Sequence, residues 1–434
     1  MKRRSLILAL TLLAVISCRR EALPEPEPVV TVLSSTFYTP EEFSKVNDFK
    51  GILEENSAAE SFLTNLLATS ISQKNNDLAE VMAAESNTES PSWGYRKQVL
   101  RYKSTDGAGN PIYLSGIIVY PEGEGWKHSI PNIYIYHHIT NTKDSSIPSK
   151  SNYPLACLAA KNALFIAFDG QGFGESSSVD QPFIGLKLLA KQAMEGTLAI
   201  LDFLDNQNVK LKKSHTFYNC GYSQGGGIAL AFHQAYQCNL STEDQKRLGP
   251  IETVAGAGPC NPAATLDWIS EESSLAYSIS IPLSLLGGRA THPELLGDYS
   301  DEELFSQKFM ESGILEMIHS QKYSATEIND ALQEKVGNTW ASIVSPDLND
   351  KTSELYKRAH RTVELENVLD GSWRALYPIT LYHCKGDNVV PYLNSEQASR
   401  TLGPQLDLIT PTPVPSVEPH YSAVINFATK LLNL

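Results

Sequence analysis

The sequence predicts an α/β fold with a mostly parallel central sheet, and two observations support this prediction. Short apolar segments typical of strands buried on both faces recur between residues 95 and 260, separated by helical patterns such as Gly185 to Asn206 and Gly225 to Gln237. Similar strand patterns return after residue 373. Such an alternation is typical of parallel strands whose sheet is covered by helices on both faces.

The predicted strands are rich in β-branched and aromatic residues, which fit a pleated and half-buried surface. A turn from Asp106 to Asn110 joins the first two of them. In chain order the predicted strands are Tyr95 to Lys103, Ile112 to Tyr120, Ile130 to Tyr136, Ala163 to Phe168, His215 to Cys220, Thr253 to Ala257, Ile379 to His383 and Gln405 to Ile409.

The alternation stops between Asn261 and Trp373. Helical patterns follow one another there: Glu302 to Met310, Ile314 to Gln321, Ala325 to Val336 and Ser353 to Val368. We interpret residues 261–373 as a helical cap inserted between two parts of a core, residues 91–260 and 374–434. A separate helical domain is the alternative. The cap is favoured because strand patterns resume directly afterwards, in a segment that carries residues needed for chemistry.

The N-terminus has the features of an export signal. A basic start is followed by an apolar run from Leu6 to Ile16, which is too short to span a bilayer, so residues 1–17 are predicted to be a signal peptide. The run ends in Val15-Ile16-Ser17-Cys18, which resembles a bacterial lipobox. This predicts lipidation of Cys18, with residues 18–40 as a tether and residues 41–90 as a helical extension. Ordinary secretion, with no role for Cys18, is the alternative.

The 434-residue composition excludes several classes of protein. Hydrophobic residues make up 42% and charged residues 19%, which excludes a mainly disordered chain. The net charge of −14 argues against nucleic-acid binding, because such a surface repels phosphates. Five cysteines follow Cys18 without metal-ligand spacing, and we expect most of them to be buried. The sequence indicates neither a disulfide pairing nor an oligomeric state.

One short motif carries the chemistry. Gly221-Tyr222-Ser223-Gln224-Gly225 lies between a predicted buried strand and a predicted helix, which is the context that a G-x-S-x-G nucleophile turn requires. A sharp turn of this kind strains the serine backbone and leaves little room for larger neighbours. Ser223 is therefore the predicted nucleophile. A simple glycine turn is the alternative reading.

A serine hydroxyl needs a base, and the base needs an acid to orient it. Asp387 follows a predicted strand and precedes Val-Pro and a helix, and His420 lies before the terminal helix. We predict Asp387 as the acid and His420 as the base, although a helix-capping aspartate and a plain loop histidine would look similar. The other histidines fit less well: His215 begins a strand, His319 and His360 lie in the cap, and His383 lies at the end of the Asp387 strand.

From Tyr95 to Leu434 the chain resembles the α/β-hydrolases, and it is most similar to secreted lipases and esterases with a helical cap. Besides the serine motif, the resemblance rests on the segment His137-His138-Ile139-Thr140 after the third strand of that fold, and on Asp169-Gly170-Gln171-Gly172-Phe173-Gly174-Glu175-Ser176. It implies an oxyanion hole from the backbone N–H groups of Gln224 and of Thr140 or Ile139. Ile139 stands where the family usually has glycine, and a β-branched residue cannot adopt the unusual backbone angles that are open to glycine.

The sequence as a whole predicts an exported, membrane-anchored serine hydrolase that cleaves a small-molecule or lipid ester without a metal or cofactor. Three alternatives remain open. A peptidase of the prolyl type would use the same three residues on amides. A binding module could keep the fold without the chemistry, and a structural lipoprotein could present a surface.

Overall fold

The computed structural model describes residues 29–39, 41–43, 93–123, 126, 128–415 and 417–434. The predicted signal peptide, Cys18, the tether as far as residue 28 and most of the predicted helical extension lie outside these residues. In the described part of the chain, no helix has the length and apolar character needed to cross a membrane.

Nine strands form a single sheet in the order β1-β2-β3-β5-β4-β6-β7-β8-β9. The strands from β5 across to β9 are parallel, whereas β1, β2 and β3 pair antiparallel with their neighbours. Their bounds are β1 Val30–Tyr38, β2 Trp93–Thr105, β3 Pro111–Gly123, β4 Ile130–His137, β5 Leu164–Phe168, β6 Leu211–Tyr222, β7 Ile251–Gly256, β8 Ile379–Tyr382 and β9 Leu406–Ile409.

The strand order places the ends of β4 and β6 side by side. The chain runs from β4 to β5 on one side and then back across β4 to β6 on the other, so the winding direction reverses at β4. In open parallel sheets, the crevice at such a reversal is where ligands bind, at the carboxyl ends of the strands. The serine motif follows β6, and the His137–Thr140 segment follows β4.

Residues 30–38 correct one sequence prediction. We expected them to belong to the tether, but they form the edge strand β1, paired with β2 from Val30 opposite Tyr102 to Tyr38 opposite Tyr95. The β-branched and aromatic side chains of this segment favour a strand. Its partner lies more than fifty residues further along the chain, which a local pattern does not reveal.

Side chains alternate between the two faces of the sheet, and each face is buried against a different layer. On β4, Ile133 and Ile135 join the core on one face, whereas Tyr134 and Tyr136 join the core on the other. Helices α1 Leu186–Asn206 and α2 Gln224–Cys238 cover the first face. The second face is covered by the C-terminal helix and by a 3₁₀ segment, Pro154–Lys161. The remaining core helices are α3 Thr242–Leu248, α14 Leu393–Leu402, α15 Pro419–Ser422 and α16 Val424–Asn433.

Residues 262–365 form ten helices with a hydrophobic core of their own. They are α4 Pro262–Glu271, α5 Ser280–Thr291, α6 Pro293–Leu296, α7 Asp301–Leu304, α8 Gln307–Met310, α9 Ile314–Ser320, α10 Ala325–Lys335, α11 Trp340–Ile343, α12 Pro346–Asn349 and α13 Glu354–Leu365. The prediction of one helix from Glu302 to Met310 was wrong. Phe305 pairs with Val344 in an isolated bridge, and the Ser306 side chain caps the new helix α8.

One buried amide ties the central strands to helix α2. Asn219 on β6 is fully buried, and its side chain accepts from His137 Nε2 and donates to the Ala229 carbonyl and to Thr253 Oγ1. Burial lowers the pKa of His137 to about 3, even though the bond to Asn219 opposes this effect. His137 is therefore neutral, and Asn219 joins β4, β6, β7 and α2 at one point.

We expect Asn219→Ala to lower the free energy of unfolding by about 2–4 kcal/mol, because it leaves several buried polar groups without partners. Asn132→Ala on β4 is the control, since Asn132 is half-buried and accepts one bond at 3.3 Å from Thr216 N–H. Urea unfolding of both variants measures the difference. Equal small losses would contradict the assigned role of Asn219.

Candidate active site

The turn after β6 holds Ser223 in a strained conformation. Its φ and ψ are 55° and −124°, which a residue with a side chain rarely adopts. The Ser223 N–H donates to the Gly256 carbonyl at 2.8 Å, and the Ser223 carbonyl accepts from Gly226 N–H at 2.8 Å. The backbone bonds on both sides thus maintain the strain, and the half-buried side chain stands at the start of α2.

Two glycines make this turn sterically feasible. A Cβ on Gly221 would lie 2.1 Å from the Gly225 carbonyl oxygen, and a Cβ on Gly225 would lie 2.1 Å from the His137 carbonyl oxygen. No real Cβ approaches backbone that closely, so both positions require glycine. The second contact also shows that the first turn of α2 packs against the end of β4.

The Asp387 carboxylate lies on the loop after β8 and is completely buried. Its Oδ1 accepts from the N–H groups of Val389 and Val390, both at 2.9 Å. Its Oδ2 accepts from His420 Nδ1 at 2.7 Å and from His383 Nε2 at 2.9 Å. Four donors therefore satisfy the carboxylate and fix its plane.

His420 bridges Asp387 and Ser223. It lies in the short helix α15, and its Nε2 is 2.9 Å from Ser223 Oγ. Because Nδ1 donates to Asp387, the Nε2 of a neutral ring is free to accept the Ser223 hydroxyl proton. The Tyr222 hydroxyl donates to the His420 carbonyl at 2.5 Å, which fixes the His420 backbone against the strand that carries the serine.

The surroundings of Asp387 keep it ionised. Burial by itself would raise the pKa of Asp387, but the positive charge that His420 can carry and the hydrogen bonds from His383 and His420 outweigh burial. The net result holds the pKa of this carboxyl well below its ordinary value of 3.8. A buried carboxylate of this kind stabilises positive charge on the adjoining imidazole.

His383 is the residue of this site that the sequence prediction set aside. Its position at the end of β8 suggested a residue of the strand, but its side chain is fully buried against Asp387. The available signal was its spacing of four residues before Asp387 across Gly386, where φ is +82° and the chain turns back. The side chains of Ser223, Asp387 and His420 are brought together as predicted, and His383 joins them.

The predicted oxyanion donors lie on the two segments that the strand order brings together. Gln224 is the buried first residue of α2, while Ile139 and Thr140 are half-buried after β4. Ile139 has none of the positive φ values found elsewhere in the described chain, so its position does not require glycine. The Ile139 carbonyl accepts from His138 Nδ1 at 2.6 Å. Because a trans peptide points its C=O and N–H in opposite directions, Thr140 N–H is directed away from the His138 ring.

Two cavities adjoin these segments. The smaller one, about 40 Å³, has mainly aromatic and aliphatic walls, and His138, Gln171, Gln192 and Gln224 add polar groups to them. The side-chain oxygens of Gln192 and Gln224 are buried and have no partner in the described structure. The larger cavity, about 230 Å³, lies between core and cap and is lined by residues that include Thr142, Leu283, Leu286, Ile318 and His319. Both cavities are lined by Phe173 and Gln181.

Asp169, at the start of the glycine-rich turn after β5, contacts the segment that follows β4. Burial raises the pKa of Asp169, while bonds from the Ser115 hydroxyl and the Ser149 N–H oppose this effect. His138 Nε2 lies 3.1 Å from the Asp169 carbonyl oxygen, so the His138 ring stands between that carbonyl and the Ile139 carbonyl. Asp169 therefore connects β3, the loop around Ser149 and the segment after β4.

The remaining sequence predictions concern cysteines and metals. Cys220, Cys260 and Cys384 are buried free thiols, and Cys238 is an exposed one. Among the residues that the structure describes, no group of three or more His, Cys, Asp or Glu side chains could hold a metal ion.

Solved structures resemble this chain over most of its length. One is a candidate hydrolase of Legionella pneumophila, with 16% sequence identity and a TM-score of 0.66; the match covers 93% of this chain and 95% of that chain. Another is the rice cell wall degrading esterase LipA of Xanthomonas oryzae, with 18% sequence identity and a TM-score of 0.65; the match covers 94% of this chain and 97% of that chain. Lipase A of Candida antarctica is similar over 75% of this chain and 73% of that one (13%, TM-score 0.52). No family model matches the sequence, and no curated protein matches it.

The sheet order, the helices on both faces and these neighbours define the α/β-hydrolase fold. The fold class predicted from the sequence is therefore confirmed.

The charge of Asp387 gives a prediction for stability. A carboxyl whose pKa is lowered by folding adds stability above its unfolded pKa, and this stability is lost as the pH falls towards the folded pKa. We expect Asp387→Asn to lower the free energy of unfolding by about 2–4 kcal/mol at neutral pH, with the difference shrinking from about pH 5 to about pH 2. Asp407→Asn, at an exposed carboxylate on β9, is the control. Denaturant unfolding across this pH range measures both, and a constant difference for Asp387→Asn would argue against a lowered pKa.

Proposed function

We propose that the protein is a serine hydrolase that cleaves carboxylic esters, with Ser223 as nucleophile, His420 as base and Asp387 as the acid that orients it. The observation that carries the proposal is the continuous chain of contacts from Asp387 through His420 to Ser223, ending at a strained turn. A serine, a histidine and an aspartate in this arrangement perform acyl transfer on several unrelated folds. The geometry of the three side chains, and not their position in the sequence, defines their catalytic roles.

In the first step, His420 Nε2 takes the Ser223 hydroxyl proton while Oγ bonds to the carbonyl carbon of the ester. Asp387 stabilises the imidazolium that forms and keeps the proton of Nδ1 in place. His420 then gives its proton to the alcohol oxygen as the bond between that oxygen and the carbonyl carbon breaks. Water, activated by the same imidazole, hydrolyses the acyl-enzyme and releases the acid.

The negative oxygen that forms in each step needs hydrogen-bond donors. We assign the backbone N–H of Gln224 as one donor and that of Thr140 as the other, with Ile139 as the alternative to Thr140. Such a donor contributes roughly 3–4 kcal/mol to the stability of the transition state. The His138 bond to the Ile139 carbonyl supports Thr140, because it fixes the peptide that carries the Thr140 N–H.

We place one part of the ester in the cavity between core and cap. Leu283, Leu286 and Ile318 give this cavity apolar walls, and Thr142 and His319 add polar groups. Its shared lining with the smaller cavity, at Phe173 and Gln181, supports a path that leads towards Gln224, the residue after Ser223. A mixed lining of this kind fits a small ester with a polar group as well as a lipid ester.

Replacement of the nucleophile tests the proposal. We expect Ser223→Ala to reduce hydrolysis of p-nitrophenyl esters by about 10⁴-fold or more, with its thermal stability retained, because the side chain is outside the core. Ser273→Ala is the control, since Ser273 is exposed in the cap. Initial rates with acetate, butyrate and longer acyl esters measure the loss and give the preferred acyl length.

A labelling experiment separates the alternatives. A fluorophosphonate probe is expected to label the wild-type protein and to leave Ser223→Ala unlabelled. Labelling combined with cleavage of prolyl amides but not of esters would favour the peptidase. An intact wild-type protein that neither reacts with the probe nor cleaves any ester would contradict the proposed hydrolase and favour a binding module.

We further propose that the protein is exported and anchored to a bacterial membrane through lipid at Cys18. The basic start, the short apolar run and the lipobox-like segment support this proposal. A lipid anchor would keep the described domain at the membrane surface, since more than one acyl chain binds firmly.

Expression in a bacterium that processes lipoproteins tests the anchor. We expect the full-length chain to incorporate labelled palmitate and to partition into the detergent phase, and Cys18→Ser to do neither. Cys238→Ser, at an exposed cysteine, is the matched control and is expected to behave like the wild type. Palmitate retained in Cys18→Ser would rule out this residue as the site.

A further inference from the structure

His383 lies beside the proposed catalytic residues but takes no part in the proposed reaction steps. Its side chain is fully buried, and its Nε2 contacts the same Asp387 oxygen, Oδ2, that accepts from His420. The two imidazoles therefore share one carboxylate oxygen. The contact between His383 and Asp387 is only 0.2 Å longer than the contact between His420 and Asp387, at 2.9 Å against 2.7 Å.

The hydrogen-bond partners fix which nitrogen of His383 carries a proton. Nε2 lies 2.9 Å from Asp387 Oδ2 and 3.2 Å from the Val390 carbonyl oxygen, and both of these groups accept hydrogen bonds only. Nε2 must therefore carry a hydrogen. A deprotonated Nε2 would face two oxygens across a buried gap without a proton between them.

Ser395 decides the state of the other nitrogen. Its hydroxyl is fully buried on helix α14 and lies 2.7 Å from His383 Nδ1, which is its only hydrogen-bond partner within the described residues. A buried hydroxyl donates its proton where an acceptor is present. Ser395 therefore donates to Nδ1, and His383 is the neutral tautomer with its proton on Nε2.

Resting on the proposed function, we infer that His383, held by Ser395, is a positioning residue that fixes the Asp387 carboxylate and withdraws part of its negative charge from His420. The neutral N–H dipole points at Oδ2, so Oδ2 offers less charge to the His420 imidazolium. Without this dipole, more of the carboxylate charge would face the His420 imidazolium. The same bond prevents Oδ2 from rotating away from His420.

Other ionisable groups also face this cluster. Burial, reinforced by the Asp387 charge, raises the pKa of Tyr222 and of Cys384, so both are uncharged at neutral pH. Tyr392 and Tyr421 place their rings 5.3 Å from His383 and 5.1 Å from His420. Lys385 and Glu418 are exposed on the adjoining loops. A substitution at His383 leaves all of these side chains unchanged, so a change in pH profile reports on the His383 bond.

Two amide substitutions separate the two contacts of His383. The amide nitrogen of glutamine falls near the Nε2 position of histidine and can donate to Asp387. The amide of asparagine falls near the Nδ1 position, where it can bond to Ser395 but does not reach Asp387. His383→Gln and His383→Asn thus differ mainly in the bond at issue.

We expect His383→Asn to raise the midpoint of the acid limb of kcat/KM by roughly half a pH unit or more, because His420 then holds its proton more tightly. We also expect kcat to fall about tenfold, with KM changed by less than about twofold, because the loss affects orientation and not substrate binding. His383→Gln should stay within about 0.2 pH unit of the wild type. Initial rates with p-nitrophenyl butyrate from pH 5 to 9 measure these values.

His233→Asn is the matched control. His233 is also fully buried, and its Nδ1 lies 2.8 Å from the hydroxyl of Thr253, but no carboxylate among the described residues forms a hydrogen bond with it. We expect His233→Asn to change thermal stability and to leave the acid-limb midpoint unchanged. A midpoint that shifts equally in His233→Asn and His383→Asn would overturn the inference, as would equal shifts in the two His383 variants.

A second measurement does not depend on activity. In the Ser223→Ala background, NMR titration of the His420 ring with and without His383→Asn gives the midpoint directly. A higher midpoint in the double variant supports the inference even if the wild type hydrolyses no ester, in which case only the proposed function fails. An unchanged midpoint in a folded double variant would contradict the inference. Ester hydrolysis by the wild type would in that case still support the proposed function.

Discussion

Four hydrogen bonds hold the Asp387 carboxylate inside the protein, and the arrangement of the site follows from them. The backbone N–H groups of Val389 and Val390 donate hydrogen bonds to one oxygen, and two imidazoles donate to the other. A charge buried without such partners would cost several kcal/mol and would be neutralised. Because the donors come from the loop after β8 and from α15, the carboxylate also fixes the separation between those two segments, and with it the position of His420 relative to Ser223.

The strained turn at Ser223 is the second constraint, and it acts through packing. The turn exists only because its glycines allow backbone to lie against backbone, and the Gly225 contact with the His137 carbonyl joins it to the end of β4. Asn219 and the neutral His137 hold the same two strands in register below it. The turn at Ser223 and the segment with Ile139 and Thr140 are therefore parts of one rigid arrangement at the point where the strand order reverses.

The sequence predicted the fold class and the course of β2 to β9 because buried strands and flanking helices leave strong local patterns. It also selected Ser223, Asp387 and His420, since each follows a strand in the order typical of the fold; their catalytic roles stay predictions. What it missed depends on contacts between distant residues. Strand β1 is defined by pairing with β2, the helix break at Phe305 by a bridge to Val344, and the role of His383 by a turn that brings its ring back onto Asp387.

The cap is connected to the site through the segment that follows β4. Thr142 donates its hydroxyl to the Tyr323 carbonyl, the Asp144 N–H donates to the Gln321 carbonyl, and the Gln321 side chain donates to the Gly172 carbonyl. The cap residues at 321 and 323 therefore hold the chain only a few residues beyond Thr140. Movement of this part of the cap would pull on the peptide that carries the second proposed oxyanion donor. Access to the larger cavity is therefore coupled to the geometry of this donor, because the chain from Thr140 to Asp144 links the donor to the bonds with the cap. A cap that opened as an independent lid would first have to break these three hydrogen bonds.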